Sequence, residues 1–211
     1  VNAAPDMPVP RLVETNGISM AVYEEGEGIP IIFCHGFPEL AYSWRHQLHA
    51  VSNSGFHAIA PDLRGYGLTE RPNSIDEYTT ATICDDLVGM MDAMNIEKAI
   101  FCGHDWGGFV ADTMPVLYPD RCLGIIGIGA GNNQRPPNIP YPDIEYIELL
   151  DKPAFNVYVQ QPETVEMLDN NVEQLFTTMF RKDYFTADYL RSLPDEAPEK
   201  RIFFEGMMAR E

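Results

Sequence analysis

From Arg11 to Ile128, short apolar runs alternate with stretches whose apolar residues recur every three or four positions. Arg11–Thr15 and Ile18–Glu24 read as strands joined at Asn16-Gly17, a dipeptide suited to a tight hairpin turn. Pro30–Cys34 is apolar throughout, as in a strand covered on both faces of a sheet. Leu40–Ser52 then reads as a helix with Trp44, Leu48 and Val51 on one face, and Phe56–Ala60 as the next strand. Thr79–Met94 is helical, with Ile83, Leu87, Met90, Met91 and Met94 as core filler. Glu97–Cys102 is a strand, Gly107–Leu117 returns to helical spacing, and Leu123–Ile128 is a further strand. Strands alternating with helices in this way predict an α/β fold with a largely parallel sheet. Ligands of such sheets bind beyond the carboxyl ends of the strands.

Candidate chemistry collects at two of those ends. Cys102-Gly103-His104-Asp105-Trp106-Gly107-Gly108 joins a strand to a helix. Glycines at 103, 107 and 108 allow a sharp turn and close packing that a Cβ would obstruct. Such a turn holds its middle side chain out of the sheet, with the next backbone N–H pointing into the space above. A carboxylate presented in this way is suited to attack carbon by displacement, leaving a covalent ester. The seven residues alone are equally compatible with Asp105 capping the helix that follows, since Asp is a favoured cap.

His35-Gly36-Phe37-Pro38-Glu39 follows the apolar strand ending at Cys34. A Gly followed by X-Pro restricts the backbone, and a cis Phe37–Pro38 bond suits it. This turn is expected to aim the Phe37 amide at the same point as the Trp106 amide, a two-donor oxyanion hole. In Pro61-Asp62-Leu63-Arg64-Gly65-Tyr66-Gly67, Asp62 and Arg64 read as turn residues that satisfy loop backbone rather than as catalytic groups.

Composition narrows the classes. At 211 residues and 45% hydrophobic, the chain can bury a sizeable core and suits one domain, or a domain plus a lid. Fourteen basic against 32 acidic residues give a net charge of −18, which argues against nucleic acid or an anionic membrane surface as partner. The four cysteines (Cys34, Cys84, Cys102, Cys122) show no metal spacing. Three lie in or beside apolar runs, so buried free thiols and a reducing compartment are expected. No signal-peptide pattern and no bilayer-length apolar run occurs, so the expectation is a soluble, cytosolic protein without metal or cofactor. Residues 1–10 are rich in Pro and Ala and read as poorly ordered at the start.

After Gly131 the pattern changes. Arg135 to Pro142 is a Pro-rich link, and no strand pattern follows. Glu163–Lys182 reads as one amphipathic helix, with Val165, Leu168, Val172, Leu175 and Met179 as its apolar stripe, and Thr186–Leu193 as a shorter one.

Three motifs, His-Gly-Phe-Pro-Glu…Tyr-Ser-Trp-Arg (35–45), Ala-Pro-Asp-Leu-Arg-Gly-Tyr-Gly (60–67) and Gly-His-Asp-Trp-Gly-Gly (103–108), together resemble the epoxide hydrolases of the α/β-hydrolase superfamily. The resemblance runs from about Arg11 into the second region and covers most of the chain. It implies an α/β-hydrolase core over residues 1–134 and an inserted helical lid, incomplete, over 135–211. It implies Asp105 as the nucleophile that opens an epoxide from the back. The amides of Phe37 and Trp106 then serve as the oxyanion hole, and the Trp106 ring as the pocket floor. His35, Gly36, Pro38, His104 and Gly107 belong to the motifs, and the two histidines read as structural, hydrogen-bonded near the turn. The implied partners are a small apolar epoxide and water. A dimer would be compatible with exposed lid surface, though nothing demands one.

Two departures from the family pattern matter. Aligning Val159-Gln160-Gln161-Pro162 with the family's Phe-Gln-Glu-Pro puts Phe155 at the first lid-tyrosine position, with Tyr158 one turn on as a candidate acid. The family order is nucleophile, lid, acid, then histidine, yet His35, His46, His49, His57 and His104 all precede Asp105. A sheet ending at the strand 123–128 would also have an open edge. The base and its acid partner are therefore expected on a complementing C-terminal segment or second chain, and this chain alone should stall as a covalent adduct. A dehalogenase using the same Asp105 and a non-catalytic binding protein of this fold remain as alternatives.

Overall fold

The computed structural model of the chain describes residues 6–129 and 162–180. Two compact units are formed, Val1–Gln134 and Arg135–Glu211.

Among the described residues the first unit is a six-stranded sheet with helices on both faces. In chain order it contains β1 (Arg11–Thr15), β2 (Ile18–Glu25), β3 (Ile29–Cys34), α1 (Arg45–Ser52), β4 (Phe56–Pro61), α2 (Thr80–Ala93), β5 (Ala99–His104), α3 (Trp106–Leu117) and β6 (Cys122–Ile128). The strand order is β1-β2-β4-β3-β5-β6. Strands β1 and β2 form an antiparallel hairpin, and β2 runs antiparallel to β4. Pairs β4–β3, β3–β5 and β5–β6 are parallel. Positive φ at Asn16 (41°) and Gly17 (78°) supplies the hairpin's tight turn.

Successive residues of β3 explain its apolar run. Ile32 and Cys34 pack with Met20, Leu87, Met90, Phe101, Val110 and Met114, on the face covered by α2 and α3. Ile31 and Phe33 pack on the other face with Ala58, Ala60, Trp44 and, from α1, Leu48. A strand buried on both sides has no position at which a polar side chain would be solvated. Helix α2 begins where Thr79 Oγ1 accepts the Thr82 N–H at 3.1 Å, an ordinary side-chain cap. The stretch read as one helix from Leu40 begins instead with a 3-10 turn, Ala41–Trp44, and becomes α-helical at Arg45.

Cys34, Cys84 and Cys102 are buried free thiols, and Cys122 is half-buried. Burial pushes the Cys84 thiol up to about 12 and Cys102 to about 11, and raises Cys34 as well. Only the thiolate reacts readily. A thiol reagent such as DTNB is therefore expected to titrate at most Cys122 in the native chain and all four thiols in denaturant. Rapid native reaction of a second thiol would contradict this packing.

Among the described residues β6 is an edge strand. Its Leu123, Ile125, Ile126 and Ile128 side chains are 45–53% exposed, on both faces of the strand.

In the second unit, α4 (Pro162–Asn170) and α5 (Val172–Met179) replace the single helix expected over Glu163–Lys182. The break falls at Asn170-Asn171. Asn171 Nδ2 donates back to the Met167 carbonyl at 2.7 Å, and the Asn171 carbonyl accepts from Leu175 N–H at 2.9 Å. The Asn side chain closes the first helix while its backbone opens the second, a competition for backbone groups that disfavours Asn inside helices. Of the expected stripe, Leu175 is buried and Leu168 half-buried, whereas Val165 and Val172 are exposed. Thr186–Leu193 lies outside the described residues, as do residues 1–5; within the stretch expected to be poorly ordered, Met7 is buried in the cluster of Trp44 and Leu48. No helix among the described residues is long and apolar enough to cross a membrane.

Candidate active site

Strands β3 and β5 are parallel neighbours, in register at Phe33–Cys102 and Cys34–Gly103. His35-Gly36-Phe37 and His104-Asp105 therefore leave the sheet side by side at its carboxyl edge. From β3 the chain turns to α1 and β4 on one side, and from β5 to α3 and β6 on the other. The crevice between such divergent loops is the usual ligand position in an open α/β sheet.

Asp105 occupies the turn with φ 51° and ψ −122°. A non-glycine residue held there costs on the order of 1–3 kcal/mol and persists only when its surroundings enforce it. They do so by close approach. A Cβ on Gly107 would lie 2.1 Å from the Cys34 carbonyl oxygen, and one on Gly103 would lie 2.1 Å from that of Gly107. The start of α3 is thus pressed onto β3 and β5, and the intervening residue takes up the strain. Gly36 faces Asp105 at similar range, because a Cβ there would come within 2.5 Å of the Asp105 Cβ.

The Asp105 carboxylate makes no capping bond to α3. Its Oδ1 accepts the Phe37 N–H at 2.9 Å. Trp106, the next residue, opens α3 with its ring half-exposed and 5.5 Å from that of Phe109. The Phe37–Pro38 peptide is cis.

A second layer of bonds surrounds this pair. Glu39 Oε2 accepts the Gly36 N–H at 3.2 Å and lies 3.1 Å from His104 Nδ1, so one carboxylate ties the two loops together. His35 is buried, with Nδ1 2.9 Å from the Gly36 carbonyl and Nε2 3.0 Å from the Leu63 amide nitrogen. The Tyr66 ring meets His35 edge-on at 4.9 Å. Burial, and then the charge of Asp105, raise the Tyr66 phenol above its ordinary value. The sequence offered no signal for the Glu39 bridge beyond its place in the motif, because its partner is 65 residues away.

Asp62 satisfies loop backbone, accepting from Ala41 N–H at 3.0 Å and Leu68 N–H at 3.1 Å. It also lies 3.5 Å from the Tyr23 hydroxyl, whose pKa is pushed up to about 12 by burial and then by the Asp62 charge. Arg64 turns away into a buried pair with Asp86. Of the remaining histidines, His57 pairs with Glu24 at 2.8 Å, His49 lies 3.6 Å from Glu25, and His46 is exposed. Among the described residues, no histidine is bonded to the Asp105 carboxylate, and no cluster of three His, Cys, Asp or Glu suits a metal. Phe155 and Tyr158 lie outside the described residues.

A largely parallel sheet with a strained Asp turn beyond one strand and a Gly-X-Pro turn beyond its neighbour frames the candidate site. Residues 29–199 match the family model for the α/β-hydrolase fold, and the chain belongs to that family. It is 47% identical to Epoxide hydrolase A of Mycobacterium tuberculosis over 123 residues, 57% of this chain and 38% of that protein. It is 39% identical to Epoxide hydrolase 2 of Siraitia grosvenorii over 170 residues, 81% of this chain and 53% of that protein. Among solved structures, Epoxide Hydrolase A from Mycobacterium thermoresistibile superposes with a TM-score of 0.77 at 35% identity, over 87% of this chain and 59% of that one. The chain thus spans about half the length of the relatives it matches.

Proposed function

We propose that this chain carries the nucleophile of an epoxide hydrolase, and that Asp105 opens a small apolar epoxide through a covalent ester. The observation that carries the reading is the disposition of the Asp105 carboxylate: it does not cap α3, and Oδ1 is held by the Phe37 N–H. Oδ2 is then the attacking atom. It forms a bond to an epoxide carbon as the carbon–oxygen bond of the ring breaks, and the released alkoxide takes a proton from an acid on the lid. Oδ1 becomes the carbonyl oxygen of the ester and stays against the Phe37 amide. When water adds to the ester carbon, negative charge develops on that same oxygen. The amides of Phe37 and Trp106 are positioned by motif to receive it, a contribution worth about 10²–10³-fold per donor in comparable holes. Support also comes from the relatives, which are named epoxide hydrolases.

Hydrolysis needs a base to activate water, and its absence typically costs about 10²–10⁴-fold. His35 is engaged by the Gly36 carbonyl and the Leu63 N–H and His104 by Glu39, and His46, His49 and His57 sit on other parts of the unit. We assign the base and its acid partner to a complementing polypeptide segment outside the described residues, docked along the apolar edge of β6. Among the described residues the outer edge of β6 carries no partner strand and exposes Leu and Ile, a template for further pairing.

Intact-mass measurement before and after incubation with styrene oxide tests both parts. The chain alone is expected to gain one substrate mass, on the peptide carrying Asp105, and to form little diol. Material that contains a complementing polypeptide is expected to release diol without lasting adduct. Neither adduct nor diol in either sample would sink the reading, and halide release from a haloalkane in its place would transfer Asp105 to dehalogenation.

A further inference from the structure

We propose that His35 is a positioning residue for the Phe37 amide, acting as a neutral imidazole that grips the Gly36–Phe37 peptide by its carbonyl and so aims the opposite N–H at Asp105. The Gly36 carbonyl and the Phe37 N–H belong to one planar peptide group and point in opposite directions. Whatever fixes the carbonyl therefore fixes the amide. Two donors fix it: His35 Nδ1 at 2.9 Å and the Glu39 N–H at 3.0 Å. On the other side the Phe37 N–H reaches Asp105 Oδ1 at 2.9 Å.

The partners of His35 leave one protonation state. The Gly36 carbonyl only accepts, so Nδ1 must carry a hydrogen; the Leu63 amide only donates, so Nε2 must be bare. A protonated ring would set an N–H against the Leu63 N–H and release the loop after β4. Burial enforces the neutral form, lowering the imidazole pKa below its ordinary value against the opposing pull of the Gly36 bond, Asp62 and Glu39. Tyr66, edge-on to the ring, completes the enclosure. The sign follows. With its folded pKa below the unfolded value near 6.5, the unfolded chain binds the proton first, so His35 contributes stability above about pH 6.5 that is lost as pH falls.

The inference rests on the nucleophile reading only for its catalytic consequence, and NMR tests it without turnover. In the full chain with ¹⁵N-labelled histidine, His35 is expected to show a protonated Nδ1 and a bare Nε2 from pH 8 to pH 6. His35→Asn places an amide nitrogen near the Nδ1 position and cannot titrate. It is expected to keep the Phe37 amide proton at its parent shift. His35→Gln places its polar end near Nε2 and loses the grip on Gly36. It should move the Phe37 amide upfield and raise its exchange rate by about tenfold, with the rest of the spectrum folded. The opposite tautomer, a protonated ring at pH 7, or a Phe37 amide indifferent to His35→Gln would overturn the proposal. A chain that passes these tests yet forms no adduct with styrene oxide would keep the positioning role and lose the nucleophile reading instead.

Discussion

Asp105→Gly is expected to abolish adduct formation with an epoxide while leaving the unfolding temperature of the chain nearly unchanged. Loss of a nucleophile that forms a covalent intermediate costs more than about 10⁴-fold in comparable enzymes. The stability ledger at this position is close to balanced. Removing the side chain forfeits one part-buried hydrogen bond from Phe37, worth about 1 kcal/mol. A glycine in place of a side chain costs a further 0.5–1 kcal/mol or so in chain entropy. Against these stands relief of the strain at φ 51°, of order 1–3 kcal/mol. The net change lies between about 1 kcal/mol of loss and about 1.5 kcal/mol of gain. Intact mass with styrene oxide and a thermal melt on the same sample check the two halves together. Had Asp105 been a helix cap, the substitution would cost only a few tenths of a kcal/mol through the cap itself, and adduct formation would not depend on it. An adduct that survives Asp105→Gly would therefore remove the nucleophile from this turn.

The largest effect on stability is expected at Asp86. Its carboxylate is fully buried and accepts from both Arg64 Nε, at 2.8 Å, and Arg64 Nη2, at 2.5 Å. Asn16 Nδ2 adds a third donor at 2.8 Å, and Arg64 reaches the Asn16 carbonyl at 3.3 Å. Arg64 is itself only 2% exposed, and the bond to Asp86 is the largest of the influences that raise its pKa further. Asp86→Ala strands that guanidinium in the interior, for which about 3–5 kcal/mol is the usual cost. Whole domains are stable by only about 5–15 kcal/mol, so the variant should melt roughly 6–20 °C lower. The double variant Arg64→Met with Asp86→Leu removes both charges at similar volume, and is expected to recover most of the loss. Urea titration of these two variants beside Arg64→Met and Asp86→Leu singly gives the coupling directly. Equal loss in single and double variants would mean that shape rather than charge holds the hairpin turn against α2.

These two residues illustrate how much of the molecule was legible in the chain. Asp105 announces itself through its neighbours, because the glycines that permit the turn are adjacent to it in sequence. Arg64 does not. Its partner lies 22 positions away among 32 acidic residues, and nothing local distinguishes Asp86 from the others. Asp62, in the same motif, was readable in part because one of its bonds goes to loop backbone close by, at Leu68 six positions on, whereas its bond to the Ala41 N–H, 21 positions back, was not. Similarly, β5 was expected over Glu97–Cys102 but is Ala99–His104. Glu97 stays out of the strand with its carbonyl taken by Arg121 Nε at 2.8 Å, and the far end extends because His104 pairs with Ile128 of β6. The helix over Glu163–Lys182 was read from periodicity alone, which does not register that Asn171 competes for the backbone in mid-run.

By itself the sequence determined the alternation of strands and helices, the sharp turns at Asn16-Gly17 and Asp105, and the location of the chemistry beyond two strands. Each of these depends on residues a few positions apart, through side-chain periodicity or the backbone freedom of glycine. Only the tertiary structure decided that β3 lies beside β5, that the Phe37 amide rests on Asp105 Oδ1, and that Glu39 and His35 hold the peptide between them. Those contacts join loops about 65 residues apart, or turn on which way one peptide faces. Strand order and register set both, and they come from packing the whole sheet rather than from any local pattern.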